Sequence, residues 1–542
     1  MADVRKTPIG IELIKRGVVT KEAVQKAIEY QKEHPEKKLG DIINILNLCS
    51  QKDLIEAMGE ILNEKVILLR LDSINVNVKD FASIEVIKQN KAIPFDVMGG
   101  KVKVCFADTA NKKAIDQMRL LMLNKGLVMD KYLTFESNID NIIEALAGKK
   151  EENLGTISDV TGLIDTIIRA AMDKRASDIH IEPMEDSVRI RYRIDGELIT
   201  VANLDKKKQT QIINRLKAIS NMHQEKQEPQ DGRILLYDNY NIRVSSQKNV
   251  NGEKFVLRLL EKDKTIKGIF ELGFPEDENL LKKCFDKRNS ITIIAAPTGE
   301  GKTTTLYSII DYLNKPEINI TTIEDPVEIR IPGLNQIEID SKTSFADSLR
   351  TVLRQDPNIV LVGEIRDLET AEIAMQSGQT GHYVLSTIHT IDSIEVITRL
   401  RKMGISDYDI ASTMANAISQ RLIRKPCPNC SKKREFTEEE KEIINKLVKK
   451  YGMEFNFNGK YTYDIAGCKE CNYTGFLGRI AAFEILNISE EIKEMLIKGE
   501  STIKIKDVAI KEGYRPLFVD AMQKVVDGII TLDEANRKLV LY

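Results

Sequence analysis

The sequence lacks a charge of either sign: 80 Lys and Arg stand against 82 Asp and Glu, a net charge of −2 over 542 residues. No global attraction to nucleic acid or anionic lipid follows, so any such binding has to be local. No stretch nears the roughly 18 uninterrupted apolar residues of a membrane span. The polar start MADVRKTPIG has no apolar core of a secretory signal, and the expectation is a cytoplasmic protein. Seven cysteines are too sparse for a disulfide scaffold, histidines number only five, and low-complexity tracts are missing. What is present, 42% hydrophobic and 30% charged residues, describes ordinary globular domains. At about 150 residues per domain the length predicts three or four of them.

The first feature along the chain is a repeat with a period of 30 residues. Ile9-Gly10 recurs as Leu39-Gly40, Val24 as Leu54 and Ile28 as Met58, with apolar spacing that predicts two similar modules of short amphipathic helices over 6–62. A small α/β part with a strand at 101–107 completes an N-terminal α+β domain, 1–147, and the polar run that follows predicts a linker at 148–158. A second α/β domain, 159–262, carries SVRIRYRIDG, where Val188, Ile190, Tyr192 and Ile194 alternate with Arg189, Arg191 and Arg193. That period of two is a strand with one core face and one guanidinium face. The charged segment 262–268 predicts a hinge ahead of a long C-terminal α/β domain, 263–542.

The chemistry sits in that last domain. Residues 291–305, ITIIAAPTGEGKTTT, predict strand, loop and helix, the context in which loop N–H groups and a helix N-terminus cradle phosphates. The cradle is Pro297, Thr298, Gly299, Glu300, Gly301, Lys302, Thr303 and Thr304; Lys302 reaches the β- and γ-phosphates and the Thr303 hydroxyl takes Mg²⁺. Two positions are unusual: Ala296 replaces the first glycine, and Glu300 places a carboxylate beside a polyanion. An apolar run, 359–363, ends in Glu364, a second Mg²⁺ ligand, and its strand is expected beside the P-loop strand in one parallel sheet. Between them TTIEDPVE at 321–328 offers Glu324 or Glu328 to position the attacking water. His389, at the end of another apolar run, is placed to sense the γ-phosphate, whereas for His382 a structural role stands beside a functional one.

Cys427-Pro-Asn-Cys430 and Cys468-Lys-Glu-Cys471, separated by 431–467, have the spacing of an all-thiolate structural zinc site within an insertion at about 425–480. A helical hairpin containing EEEKEIINKLVKKYG is expected between the pairs. Cys49, Cys105 and Cys284 read as core fillers.

Together APTGEGKTTTL, TTIEDPVE, LRQDPNIVLVGEIRD, SGQTGHYVLSTIHT and the tetracysteine insertion resemble the secretion-superfamily ATPases, and within them the motors of type IV pilus assembly and type II secretion. Their Walker A loop, Asp box, Walker B and His box map to 296–303, 321–328, 359–367 and 382–389. Upstream, ASDIHIEP, VRIRYRIDG, PQDGR, NIRVSS and EKFVLRLL resemble that family's second N-terminal domain. The resemblance implies a RecA-like ATPase domain preceded by a PAS-like domain, ATP and Mg²⁺ as cofactors, a hexamer, and an inner-membrane platform protein as partner. It also implies arginines reaching the nucleotide from the preceding domain: Arg243 and Arg258 by motif position, then Arg191, Arg193 and Arg233. Retraction motors of the superfamily lack the long N-terminal region and the cysteine insert, so assembly is favoured over retraction.

The N-terminal repeat resembles a cyclic di-GMP-binding module. Its motif positions are Ile9, Gly10, Val24, Ile28 and Gln31 in the first repeat, and Lys38, Leu39, Gly40, Asp41, Leu54 and Met58 in the second, with Asp108 as a further guanine contact. Pro8 replaces the motif's arginine, Asn47 its glycine and Ile61 its glutamine. A helical docking module is the alternative. For the whole protein the alternatives are a type II secretion motor, a DNA-translocating ATPase whose cysteine module carries Lys425, Lys432, Lys433 and Arg434, and a weakly catalytic nucleotide sensor.

Overall fold

The computed structural model describes residues 9–148 and 159–539, apart from 36, 47, 71, 72, 77, 79, 80, 238, 263, 264, 341 and 342. Pro8, Asn47, almost all of the expected linker and two positions of the expected hinge therefore lie outside the described residues.

The 30-residue repeat is two helix pairs: Ile9–Lys15 with Lys21–Glu33, and Leu39–Ile45 with Gln51–Leu62. Even the caps repeat at that interval, for the Thr20 and Ser50 hydroxyls accept from the N–H groups of Ala23 and Asp53. Gly10 and Gly40 occur because the helices touch: a Cβ on Gly10 would lie 3.0 Å from both Leu39 and Val24, and one on Gly40 2.7 Å from the Met58 sulfur. A three-stranded sheet follows, Ala92–Met98, Lys101–Phe106 and Val128–Leu133 in that order, covered by the helices Ile84–Asn90, Lys112–Leu123 and Glu136–Gly148. The repeat also touches the cysteine insertion, since Gln51 N–H donates to Asp464 (3.2 Å) and Lys432 Nζ to the Ile45 carbonyl (3.1 Å).

The second domain packs the helix Val160–Asp173 against a six-stranded antiparallel sheet. Strand Ser187–Ile194 buries alternate residues as its sequence alternates, leaving Arg189, Arg191 and Arg193 on the other face.

The C-terminal domain is built on a seven-stranded sheet. Its spatial order is Asn335–Glu338, Ile320–Glu324, Ile359–Val362, Tyr383–Ile388, Ser290–Ala295, Met414–Pro426, Phe476–Asn487; the first six are parallel and the last is antiparallel. The Walker B strand is therefore not beside the P-loop strand: Tyr383–Ile388 lies between and pairs with both. All three strands are buried over their full length, so hydrophobicity alone carries no record of their order. The cysteine insertion connects the two long strands at the sheet edge. It holds one α-helix, Glu438–Lys449, with a Thr437–Glu440 capping box, a short 3-10 turn at Lys469–Cys471, and a two-stranded ribbon of Lys432–Arg434 and Thr462–Asp464, not a helical hairpin. After Gly452 the chain has no regular secondary structure, and Phe455 and Phe457 pack into the cluster formed by the helix and the last third of the domain.

Candidate functional site: a nucleotide cavity and a tetrathiolate cluster

The strand Ser290–Ala295 leads through Ala296–Gly301 into the helix Lys302–Leu313. Gly299 and Gly301 take φ of +81° and +83°, the left-handed region that only glycine enters without strain, and a loop can turn this tightly because of them. Residues 298–304 line a cavity of about 820 Å³ at the junction of the C-terminal and second domains. Ala296 is fully buried with its N–H on the Ile388 carbonyl, so its methyl group is accommodated within the sheet and does not face the cavity mouth. Glu300 lines the cavity too, with its carboxylate held at the wall. One carboxylate oxygen accepts from the Leu422 N–H (2.7 Å) and the other meets Lys538 Nζ (2.7 Å).

Lys302 folds back onto its own loop, donating to the carbonyls of Ala296 (2.8 Å) and Pro297 (3.3 Å). These are bonds a phosphate would replace. Burial holds its pKa below the usual lysine value, partly countered by Glu364 and Glu300. His389 stands between the two halves of the site, Nδ1 3.5 Å from Lys302 Nζ and Nε2 3.6 Å from Glu364. Burial, then the Lys302 charge, lowers its pKa, which favours the neutral ring at pH 7. Glu364 also pairs with Arg366, whose guanidinium reaches Asp325 at 3.5 Å. Thr303, Glu364 and His389 all line the same cavity.

The two Asp-box glutamates are in different situations. Glu324 is 4% exposed and accepts from the Tyr307 and Thr322 hydroxyls and from Gln336 Nε2. Both residues line the cavity, Glu328 from the end of the same loop with its N–H donating to the Tyr307 hydroxyl. The arginines of the second domain divide likewise. Arg193 and Arg258 line the nucleotide cavity, Arg258 paired with the buried Asp178 at 3.0 Å and also lining the cavity next to it. Arg233 and Arg243 line a neighbouring cavity of about 540 Å³ with Asp325 and Glu338, and Arg233 pairs with Glu338 at 2.8 Å. Arg191 is taken up by Glu182 (2.7 Å) and lines neither cavity. The sequence reading missed Arg366, Arg424, Arg479, Arg537 and Lys538, all at or beside the cavity. Only Arg366, next to the Walker B acid, had a local signal.

The four cysteines meet. The sulfurs of Cys427, Cys430, Cys468 and Cys471 all lie within 4.8 Å of one another, with three separations of 3.7–3.8 Å. A tetrahedral ion with Zn–S bonds of 2.3 Å requires sulfurs about 3.8 Å apart. The backbone N–H groups of Cys468 and Gly475 point at the Cys471 sulfur, both at 3.2 Å. The Cys430 thiol, then these N–H groups, pulls the Cys471 pKa down against its burial, while the same pairing pushes Cys430 up, so this cluster gives up its first proton at Cys471. This donor set fits Zn²⁺ in a closed, structural shell.

In the N-terminal module Val24, Leu54 and Met58 are core residues and Ile28 is 39% exposed. Gln31 caps the Lys37 carbonyl, Lys38 pairs with Asp108 (2.7 Å), and Asp41 accepts from the Glu136 N–H that opens a helix.

The fold and cavity define a P-loop nucleoside triphosphatase with a second domain closing on its phosphate loop. Comparison with known proteins places it further. A family model for type II/IV secretion system proteins matches residues 154–537, and the MshEN domain model matches 62–153, beginning where the second helix pair ends. The type IV pilus assembly ATPase PilB of Myxococcus xanthus is 32% identical, the alignment covering 97% of this chain and 98% of that protein. The type II secretion system protein E of Xanthomonas campestris pv. campestris is 33% identical over 92% of each chain. Among solved structures the Yersinia pseudotuberculosis ATPase DotB has the same fold, with a TM-score of 0.52 and 21% identity, covering 72% of this chain and 95% of that one. The chain belongs to the type II/IV secretion system protein family and is an ATP hydrolase of that family. Among the described residues no helix is long and apolar enough to cross a membrane.

Proposed function

We propose that this chain is the motor of type IV pilus assembly. The observation carrying the reading is a match to a pilus assembly ATPase that runs through the N-terminal region and the cysteine insertion, 97% of this chain against 98% of that one. In this reading the protein works as a cytoplasmic hexamer against an inner-membrane platform protein. Lys302 exchanges its loop carbonyls for the β- and γ-phosphates, and Glu328 orients and deprotonates the attacking water. His389 relays the state of Glu364 to Lys302 across contacts of 3.5 and 3.6 Å. Thr303 and Glu364 hold Mg²⁺, which supplies charge neutralisation on the phosphates. Arg193 and Arg258 tie domain closure to nucleotide, while Arg233 and Arg243 face the adjoining cavity. The thiolate cluster holds zinc, clamping the ends of two sheet strands. Cyclic di-GMP is assigned to the N-terminal module, where Lys38, Asp41 and Asp108 gather polar groups beside the helix pairs; titration of the purified protein with cyclic di-GMP and no heat of binding would remove that assignment.

A motor of type II secretion is the second reading, supported by the 33% identity over 92% of the Xanthomonas protein. Deleting the gene separates the two. Loss of surface filaments is expected, and intact filaments with lost export of secreted enzymes would establish the second reading instead.

A further inference from the structure

The phosphate loop of this chain carries a carboxylate at Glu300, and the structure disposes of it through a residue 238 positions away. Glu300 lies between two glycines, its side chain 11% exposed, with each oxygen engaged: one by Lys538 Nζ at 2.7 Å, the other by the Leu422 N–H at 2.7 Å. Gln420 Nε2 donates to its carbonyl at 2.6 Å. Lys538 sits on the last described helix, Leu532–Leu539, which is itself fixed. Glu534 of that helix is 2% exposed and pairs with the buried Arg424 (2.8 and 2.9 Å), while Arg537 reaches Glu197 of the second domain at 2.7 Å.

We propose that Lys538 is a positioning residue of the nucleotide site: its ammonium group neutralises Glu300 and holds the carboxylate against the strand Met414–Pro426, out of the space of the phosphates. A buried carboxylate that loses the cation paired with it is left uncompensated, and here the adjoining space is the phosphate cavity, where Lys302 offers the next positive charge. The same helix, through Arg537 and Glu197, ties that restraint to the placement of the second domain. The inference rests on the reading of this cavity as the ATP site.

The test is binding of a fluorescent ATP analogue with Mg²⁺ by the full-length protein, with steady-state kinetics alongside. Lys538→Met is expected to weaken binding about tenfold and to raise KM more than it lowers kcat. Adding Glu300→Gln should restore affinity to within about threefold of the parent, because the charge that needed holding is gone. A merely structural role for Lys538 predicts no such rescue. Lys538→Gln, alone and with Glu300→Gln, repeats the comparison should the methionine variant melt early. Unchanged binding by Lys538→Met, or a double variant as weak as the single, overturns the proposal. Failure of the parent itself to bind the analogue would overturn the cavity assignment instead.

Discussion

Replacing each Asp-box glutamate by glutamine should give two different proteins. Both line the nucleotide cavity, but the Glu324 carboxylate is held by three side-chain hydrogen bonds, so Glu328 is assigned the attacking water. Removing a carboxylate that takes the proton of that water costs a factor of about 10²–10⁴ in rate. At about 1.4 kcal/mol per factor of ten this is roughly 3–5.5 kcal/mol of barrier. Glu328→Gln should therefore keep nucleotide affinity and melting temperature while single-turnover hydrolysis falls by at least about 100-fold. Glu324 is 4% exposed and already accepts three hydrogen bonds, from Tyr307, Thr322 and Gln336. A glutamine there presents an amide to donors and costs about 1–3 kcal/mol of stability. Its signature is a lower melting temperature with hydrolysis per folded molecule changed far less. Pre-steady-state quenching of labelled ATP and thermal melting on both variants decide the matter. A Glu324→Gln protein that melts normally but does not turn over, beside an active Glu328→Gln, would refute the assignment.

Elemental analysis should find one zinc per chain, and Cys471→Ser should lower it and raise amide exchange through 427–476 while the P-loop strand stays protected; full zinc in that variant would contradict the cluster's role. Gly232→Ala should destabilise the second domain by about 1–3 kcal/mol, since the new Cβ would lie 2.3 Å from the Ser220 carbonyl oxygen; an unchanged melt would contradict that packing. Burial pushes the Asp41 carboxyl up to about 6, from an ordinary 3.8. The folded state thus holds the proton more tightly than the unfolded one, and this contribution to stability is complete below about pH 4 and lost as pH rises through 6. Asp41→Asn should accordingly raise the melting temperature at pH 7.5 and leave it little changed at pH 4, and an equal shift at both would count against a desolvated carboxylate at this half-buried position.

Much of the site was legible because its residues are near one another in sequence. The P-loop, the acid ending Ile359–Val362 and the histidine ending Tyr383–Ile388 each combine a buried apolar strand with a polar residue at its C-terminal end, a pattern local enough to read. The order of those strands was not, because three fully buried strands are interchangeable until helix packing sorts them. Arg191 and Arg193 share one face of a strand, yet residues two apart on a strand are about 7 Å apart. Arg191 consequently meets Glu182, while Arg193, nearer the turn, reaches the cavity. Glu300 was conspicuous as an anomaly, and its remedy was invisible: nothing near Lys538 in sequence marks it as the partner of a phosphate loop. The insertion's second helix failed for a similar reason, since Phe455 and Phe457 are drawn into a core formed with segments some 60 residues onward.

The most direct test of the central claim is steady-state ATP turnover by the purified full-length chain, with zinc retained and Mg²⁺ present, beside its Lys302→Ala variant. Mg²⁺-dependent turnover by the parent, abolished in a variant that melts normally, is the predicted result. Equal turnover by both, or none from a folded parent that binds ATP, would contradict the reading of this chain as a motor driven at the Lys302 loop.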